Sequence, residues 1–373
     1  MTAAETEQAR AYADIKYRLL LVGLALGFIF LAAFQWSGAS KALADAWARV
    51  TPAPALQLLG YLAVFGLAYY LITLPLHIYS SFTLEHRFGL SRQNWKGWLS
   101  REMKRVAVSG VISLAMLEGL YALFRELPEA WPLWATLGWV ALNILLARIF
   151  PTVLLPLFYK TTPLQQHELV TRLLDLCQRA GLPALGVFRF DLGAETRKAN
   201  AALAGLGKTR RVLLADTLID SFTPEEIEGV LAHELAHHRY HHITLFLVLG
   251  TAAAWIVFHF TAAVSRIWVD PLGLTGIGDP AGLPALLLWL SVLGLVGLPL
   301  QNGISRRFER QADRYAVAMT RPPLAFAAAL RRLAALNLAD PNPPRWIAWM
   351  FYDHPPIVER IRDAEGHTSS SGS

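Results

Sequence analysis

Six long apolar runs, one sizeable polar stretch between them and a short histidine motif at its end predict a mainly α, polytopic membrane helical bundle carrying a small α+β unit. Hydrophobic residues make up 54% of the chain and charged residues only 17%. Mean hydropathy is +0.36, displaced from soluble domains towards membrane proteins. The runs fall at about 19–35, 55–79, 106–124, 131–147 (the fourth able to continue to 158), 243–264 and 283–300, each near the length that crosses a bilayer. The first is long for a signal peptide and its leader carries both signs of charge, so it reads as a retained span. The chain thus divides into four spans in 1–158, a polar unit at 159–242, two spans in 243–300, a helical part at 301–366 and a disordered tail at 367–373, the low-complexity run HTSSSGS.

Lys and Arg set the expected orientation. The segment 80–105 holds Arg87, Arg92, Lys96, Arg101, Lys104 and Arg105 against Glu85 and Glu102. The segments 36–55, 125–130 and 265–282 carry only Lys41, Arg49, Arg125 and Arg266. Six spans with both ends inside fit this bias and put 159–242 and the part after 301 on the cytoplasmic side. Juxtamembrane bases facing anionic lipid account for the net charge of +6 without a nucleic-acid partner. A single cysteine, Cys177, excludes an intrachain disulfide and a thiolate metal cluster.

Within the polar unit, Thr162-Pro163 is expected to open a helix with Leu169, Leu173 and Leu176 on one face, stopped by Gly181 and Pro183. Phe188, Phe190 and Leu192 alternate with Arg189 and Asp191 as in a half-buried strand. A second strand covers Val212 to Ala215 after a Gly205-Leu206-Gly207-Lys208 turn, which lacks the spacing of a phosphate loop. Asn200-Ala201-Ala202-Leu203 reads as an edge strand, open to an added peptide strand.

The unit ends in LAHELAHHRYHH. His233 and His237 stand i and i+4 on a helix whose start is marked by Thr223, Pro224 and Glu226, an N-cap, a first-turn proline and a capping-box carboxylate. Two imidazoles on one face can bind one metal while Glu234 reaches a water beside it. A catalytic zinc needs a third protein ligand. Tyr240 and Ile243 stand where a metzincin has Gly and His. His241 lies about 6 Å beyond His237 along a continuous helix. His238, His241 and His242 are therefore read as an interfacial polar cluster. The remaining candidate is Ser305 to Asp313 (SRRFERQAD), where Glu309 and Asp313 share a helical face, so that one carboxylate can ligate and the other orient a ligand histidine.

HELAH, then SRRFERQAD, preceded by KANAALAGLGKTRRVLLADTL and followed by DHPPIVERI, resemble the integral-membrane type I CaaX prenyl proteases, which are zinc metallopeptidases of the gluzincin kind. The resemblance continues upstream through FTLEHRFGLSRQNW and LPLFYKTTPL and covers about 80–363. It implies one zinc per chain, held by His233, His237 and Glu309, with Glu234 as catalytic base and Asp313 behind the ligands. It also implies that Asn200 lies beside the substrate strand and His354 near the metal. The implied fold is a chamber walled by six or seven spans, with a zincin-like catalytic unit at its cytoplasmic end. Three departures stand out: six runs where the family has seven spans, Ala236 for a frequent Gly, and Phe158-Tyr159-Lys160 for Phe-Asn-Lys.

The reading is therefore a membrane-embedded zinc endopeptidase acting on a peptide or protein substrate, prenylated or membrane-associated. A quality-control protease resembling the HtpX-like family is the alternative, although that family has two spans before the motif and this chain has four. A zinc-binding transporter or scaffold has no use for a base beside an open metal position. The chain's short length and the lack of an ER-retrieval tail point to a bacterial inner membrane.

Overall fold

The computed structural model describes residues 2–205, 210–320, 322 and 324–370, without the side chains of 367–370. Its long helices are α1 (Ala3–Trp36), α3 (Pro54–Arg87), α4 (Trp95–Glu126), α5 (Trp131–Phe158), α9 (His242–Val264) and α10 (Leu283–Met319). Between α1 and α3 lies α2 (Ala39–Val50), about 18 Å long and too short to cross the hydrocarbon layer. It packs tightly on α3, since a side chain at Gly60 would meet the Trp47 ring at 2.3 Å.

The six long helices are apolar enough to span a membrane, and each packs against two neighbours in the circular order α1, α3, α4, α5, α9, α10 and back to α1. At most 22% of any span's most apolar window is buried, and none of it in α9. A solid bundle would bury more. These helices instead form a wall with two open faces, and a cavity of about 1110 Å³ lies among α1, α3 and α4. The ring is cemented at one end by Phe30, Tyr61, Phe124, Trp131 and Leu283.

The end that carries the HELAH motif holds a four-stranded sheet: β1 (Thr161–Pro163), β2 (Val187–Phe190), β3 (Ala201–Ala204) and β4 (Arg211–Ala215), in spatial order β1-β2-β4-β3. β2 and β4 are parallel, and the outer strands run antiparallel to their neighbours. Thr161–Pro163 is thus a strand where the sequence suggested a helix start, because Thr162 pairs with Arg189. The helix α6 begins only at His167 and runs to Arg179, with Leu169, Leu173 and Leu176 inward as expected. β3 is the edge strand anticipated at 200–203. Of the expected turn at 205–208, only Gly205 lies within the described residues.

The central strand β4 leads into α7 (Asp216–Ser221) and then α8 (Pro224–Arg239). Beyond α10 follow α11 (Ala325–Leu336), α12 (Arg345–Phe351) and α13 (Ile357–Ser370). One core joins Leu173, Leu213, Leu231 and Leu235 to Ala316, Phe326, Leu330 and Ala364, so the polar unit is completed by the C-terminal helices. Two expected boundaries move. Position 300/301 falls inside α10, because SRRFERQAD simply prolongs the last span's helix. The tail is helical through Ser370 by propagation of α13, while 371–373 lie outside the described residues.

Candidate metal centre and active site

The helix α8 starts where its caps dictate. Thr223 Oγ1 accepts the Glu226 N–H at 3.3 Å and Glu226 Oε2 accepts the Thr223 N–H at 2.9 Å. From Glu226 to Ala236 nearly every residue is buried, and Gly229 lets α8 approach α11 so closely that a Cβ there would meet Phe326 Cα at 3.1 Å. This close packing fixes the motif helix against the C-terminal part, and α10 lies along its other side.

His233, His237 and Glu309 converge. His233 Nε2 is 3.2 Å from His237 Nε2 and 3.2 Å from Glu309 Oε2, and His237 Nε2 is 3.4 Å from Glu309 Oε1. Ligands about 2.1 Å from a tetrahedral ion stand about 3.4 Å apart, so the donor set fits one metal, and no other cluster of this kind occurs among the described residues. Glu309 Oε2 is buried without a hydrogen-bond partner among the described residues. A buried carboxylate oxygen left in that state is costly unless a cation completes it.

The supporting residues are equally ordered. Asp313 Oδ1 lies 2.9 Å from His233 Nδ1, in ion-pair range though not in line with the ring N–H. Arg360 of α13 donates to both Asp313 oxygens, at 2.8 and 2.7 Å. His354 sits on the open side, with Nε2 3.2 Å from Glu309 Oε2 and Nδ1 2.8 Å from Asp353 Oδ1. On the far side of His237, His242 Nδ1 is 3.1 Å from His237 Nδ1, and His242 Nε2 is 3.1 Å from Gln311 Oε1.

Burial and charge separate the titrations. Burial lowers His233's affinity for its proton, but Asp313 and Glu309 outweigh it and push the pKa up to about 9. Burial, then the His233 charge, bring His237 down to about 4. Burial raises Glu234 above the ordinary carboxylate range.

The edge strand lies next to this centre. Ala215 N–H bonds the Asn200 carbonyl at 3.0 Å, so by strand alternation Ala201 and Leu203 turn their backbone groups to the free edge. His238 Nε2 donates to the Leu203 carbonyl at 3.0 Å, tying that edge to α8. Asn200 is exposed at the strand's entry. The structure therefore brings together His233, Glu234, His237, Glu309, Asp313 and His354, with Asn200 at the mouth of the neighbouring strand. Sequence reasoning missed Arg360, although it lies within DHPPIVERI. It also assigned His242 to an interfacial cluster, whereas His242 is 1% exposed and touches a candidate ligand.

Tyr159, the departure in Phe-Tyr-Lys, lies at the junction between bundle and sheet. Its hydroxyl is 3.4 Å from Glu195 Oε2, its ring packs edge-on to Phe190, and the Arg101 guanidinium covers it at 5.8 Å. The basic segment before α4 is bound to the same junction, through Arg92 N–H to the Glu195 carbonyl at 2.7 Å and Arg197 N–H to the Leu90 carbonyl at 2.9 Å.

Residues 163–368 match the model of peptidase family M48, and residues 1–160 match the CAAX prenyl protease N-terminal model, described as five membrane helices. Among curated proteins, the uncharacterized metalloprotease YhfN of Bacillus subtilis is 28% identical over 98% of this chain and 86% of its own. CAAX prenyl protease 1 of Saccharomyces cerevisiae is 27% identical over 82% of this chain and 71% of its own. The crystal structure of S. mikatae Ste24p superposes with a TM-score of 0.84 at 24% identity, covering 98% of this chain and 90% of that one.

Proposed function

The chain belongs to peptidase family M48, and from that membership we propose that this multi-pass membrane metallopeptidase uses one zinc ion, held by His233, His237 and Glu309, with Glu234 as general base. The convergence of those three donors within 3.4 Å carries the reading. Zinc in that position would polarise the scissile carbonyl and acidify a water. The chain's own groups do the rest. Glu234 accepts the proton of the attacking water and returns it to the leaving amine as the C–N bond breaks. Asp313, itself clamped by Arg360, holds the His233 ring. His354 in its doubly protonated form, its Nδ1–H donated to Asp353, donates from Nε2 to the oxygen that gains charge. The edge of β3 at Ala201, beside the Leu203 carbonyl that His238 already occupies, receives the substrate as an added strand, with Asn200 at its entry.

The substrate we propose is a peptide presented at the membrane, prenylated ones included, since several relatives are named CAAX prenyl proteases. We further propose that the catalytic unit faces the cytoplasm of a bacterial cell. The basic segment 80–105 is bonded to the catalytic unit, so both lie at one end, and the positive-inside bias favours that end being cytoplasmic. The test is zinc content and cleavage of matched fluorogenic peptides, with and without a farnesyl group, by detergent-purified protein and its Glu234→Gln variant. One zinc in both proteins with cleavage only in the first supports the reading; comparable cleavage by Glu234→Gln refutes the role of Glu234. Equal rates on both peptides would remove the prenyl group from the recognised features.

A further inference from the structure

We propose that His242 and Gln311 form a hydrogen-bond relay that fixes the tautomer of His237, presenting its Nε2 lone pair to the metal. The inference deepens the metal-site reading above and rests on it. Along a continuous helix, position i+5 from His237 would lie about 7.5 Å further on and well round the axis, out of reach. The chain breaks the helix there. His241 adopts a left-handed conformation (φ 57°) at the start of α9, and this turn folds His242 back beneath His237. His242 is 1% exposed and lies face to face with Phe308 at 4.3 Å and 6°, so its ring plane is fixed.

Proton positions follow from the orientation of the Gln311 amide, whose Oε1 faces His242 Nε2 at 3.1 Å. The Gln311 side-chain carbonyl can only accept, so His242 Nε2 carries a hydrogen and donates to it. A neutral His242 then has a lone pair at Nδ1, and the 3.1 Å contact there requires His237 Nδ1 to be the donor. His237 Nε2 is left with its lone pair towards His233 Nε2 and Glu309. Were the Gln311 amide reversed, each role would invert and His237 would present an N–H to the ion. Gln311 lies on α10 between Glu309 and Asp313, so one helix carries a ligand, the orienter of His233 and the origin of the His237 relay.

Chelator competition with zinc alone, on full-length protein in detergent, tests the relay. His242→Leu should weaken zinc binding about 10- to 100-fold while the unfolding midpoint shows the protein folded. His242→Asn, whose amide oxygen can accept from His237 Nδ1–H, should recover most of the loss. Gln311→Glu, still an acceptor, should bind within about threefold of the unsubstituted protein, and Gln311→Met, with no acceptor, should weaken binding. If the His242 variants misfold, the Gln311 pair decides, and equal affinity in that pair overturns the relay. Tight zinc binding unchanged in folded His242→Leu overturns it too, as does an Asn variant no better than Leu. No zinc binding by the unsubstituted protein overturns the metal-site reading and the relay with it.

Discussion

Replacing Arg360 by Met removes the group that holds Asp313, and the structure sets the cost. The guanidinium makes two hydrogen bonds to Asp313, at 2.8 and 2.7 Å, with side-chain exposures of 13% and 8%. Removing one partner of a buried pair costs about 3–5 kcal/mol, because the other charge stays buried. The nearby His233, protonated in the metal-free protein, offsets part of this, so the expected loss is at the low end, about 3 kcal/mol. Asp313→Asn should cost less, since the amide oxygen still accepts from Arg360 and Glu309, 3.9 Å away, faces the guanidinium left behind. The double variant should be more stable than the sum of the two losses by at least about 1 kcal/mol. Arg360→Lys keeps the charge but not the fork and should fall between Arg360→Met and the unsubstituted protein. Denaturant unfolding of the metal-free protein in mild detergent, in a Glu234→Gln background that excludes residual self-cleavage, measures all of these. A loss below about 1 kcal/mol for Arg360→Met, or strict additivity with Asp313→Asn, would refute the clamp.

Gly229→Ala should gain about 1 kcal/mol of helix propensity and lose about 1–3 to overpacking against the Phe326 backbone. Net destabilisation of about 1 kcal/mol is expected, read from unfolding midpoints, and a more stable protein would contradict the close approach of α8 and α11. Cys177 is fully buried and its thiol is pushed up to about 11 by burial. At pH 8 its thiolate is thus about a thousandth of the population, against about a quarter for an ordinary thiol. Alkylation of the folded protein should be at least about 100-fold slower than in denaturant and accelerate about tenfold per pH unit up to 11; equal rates would place Cys177 outside the core. Tyr159→Asn should cost about 1–2 kcal/mol through lost packing on Phe190 and Arg101 while leaving metal content unchanged, whereas metal loss would give Tyr159 a part in the centre.

Much of the site was legible because helical spacing encodes it locally. His233 and His237, then Glu309 and Asp313, are i, i+4 pairs, and the capping box at Thr223 announces the helix that holds the first. The apolar runs encode the spans equally directly. What stayed hidden depends on distant neighbours or on a broken period. Arg360 has no local signature, and only the return of α13 to α10 gives it Asp313. His242 looked unable to reach the site while the helix was taken as continuous, and one left-handed residue at His241 reverses that. Thr162-Pro163 resembled a helix start, but pairing with β2 outweighed the local preference.

The 37-residue α10 runs unbroken from Leu283 to Met319, and its apolar run closes near Leu300. Glu309 is nine residues further, at most about 14 Å along the axis. The helix is thus a measuring rod, anchored at one end in the apolar span and bearing the proposed metal ligand Glu309 at a set height. On the proposed reading, a peptide tethered at the hydrocarbon boundary and extended at about 3.3 Å per residue would bring about its fourth residue level with Glu309.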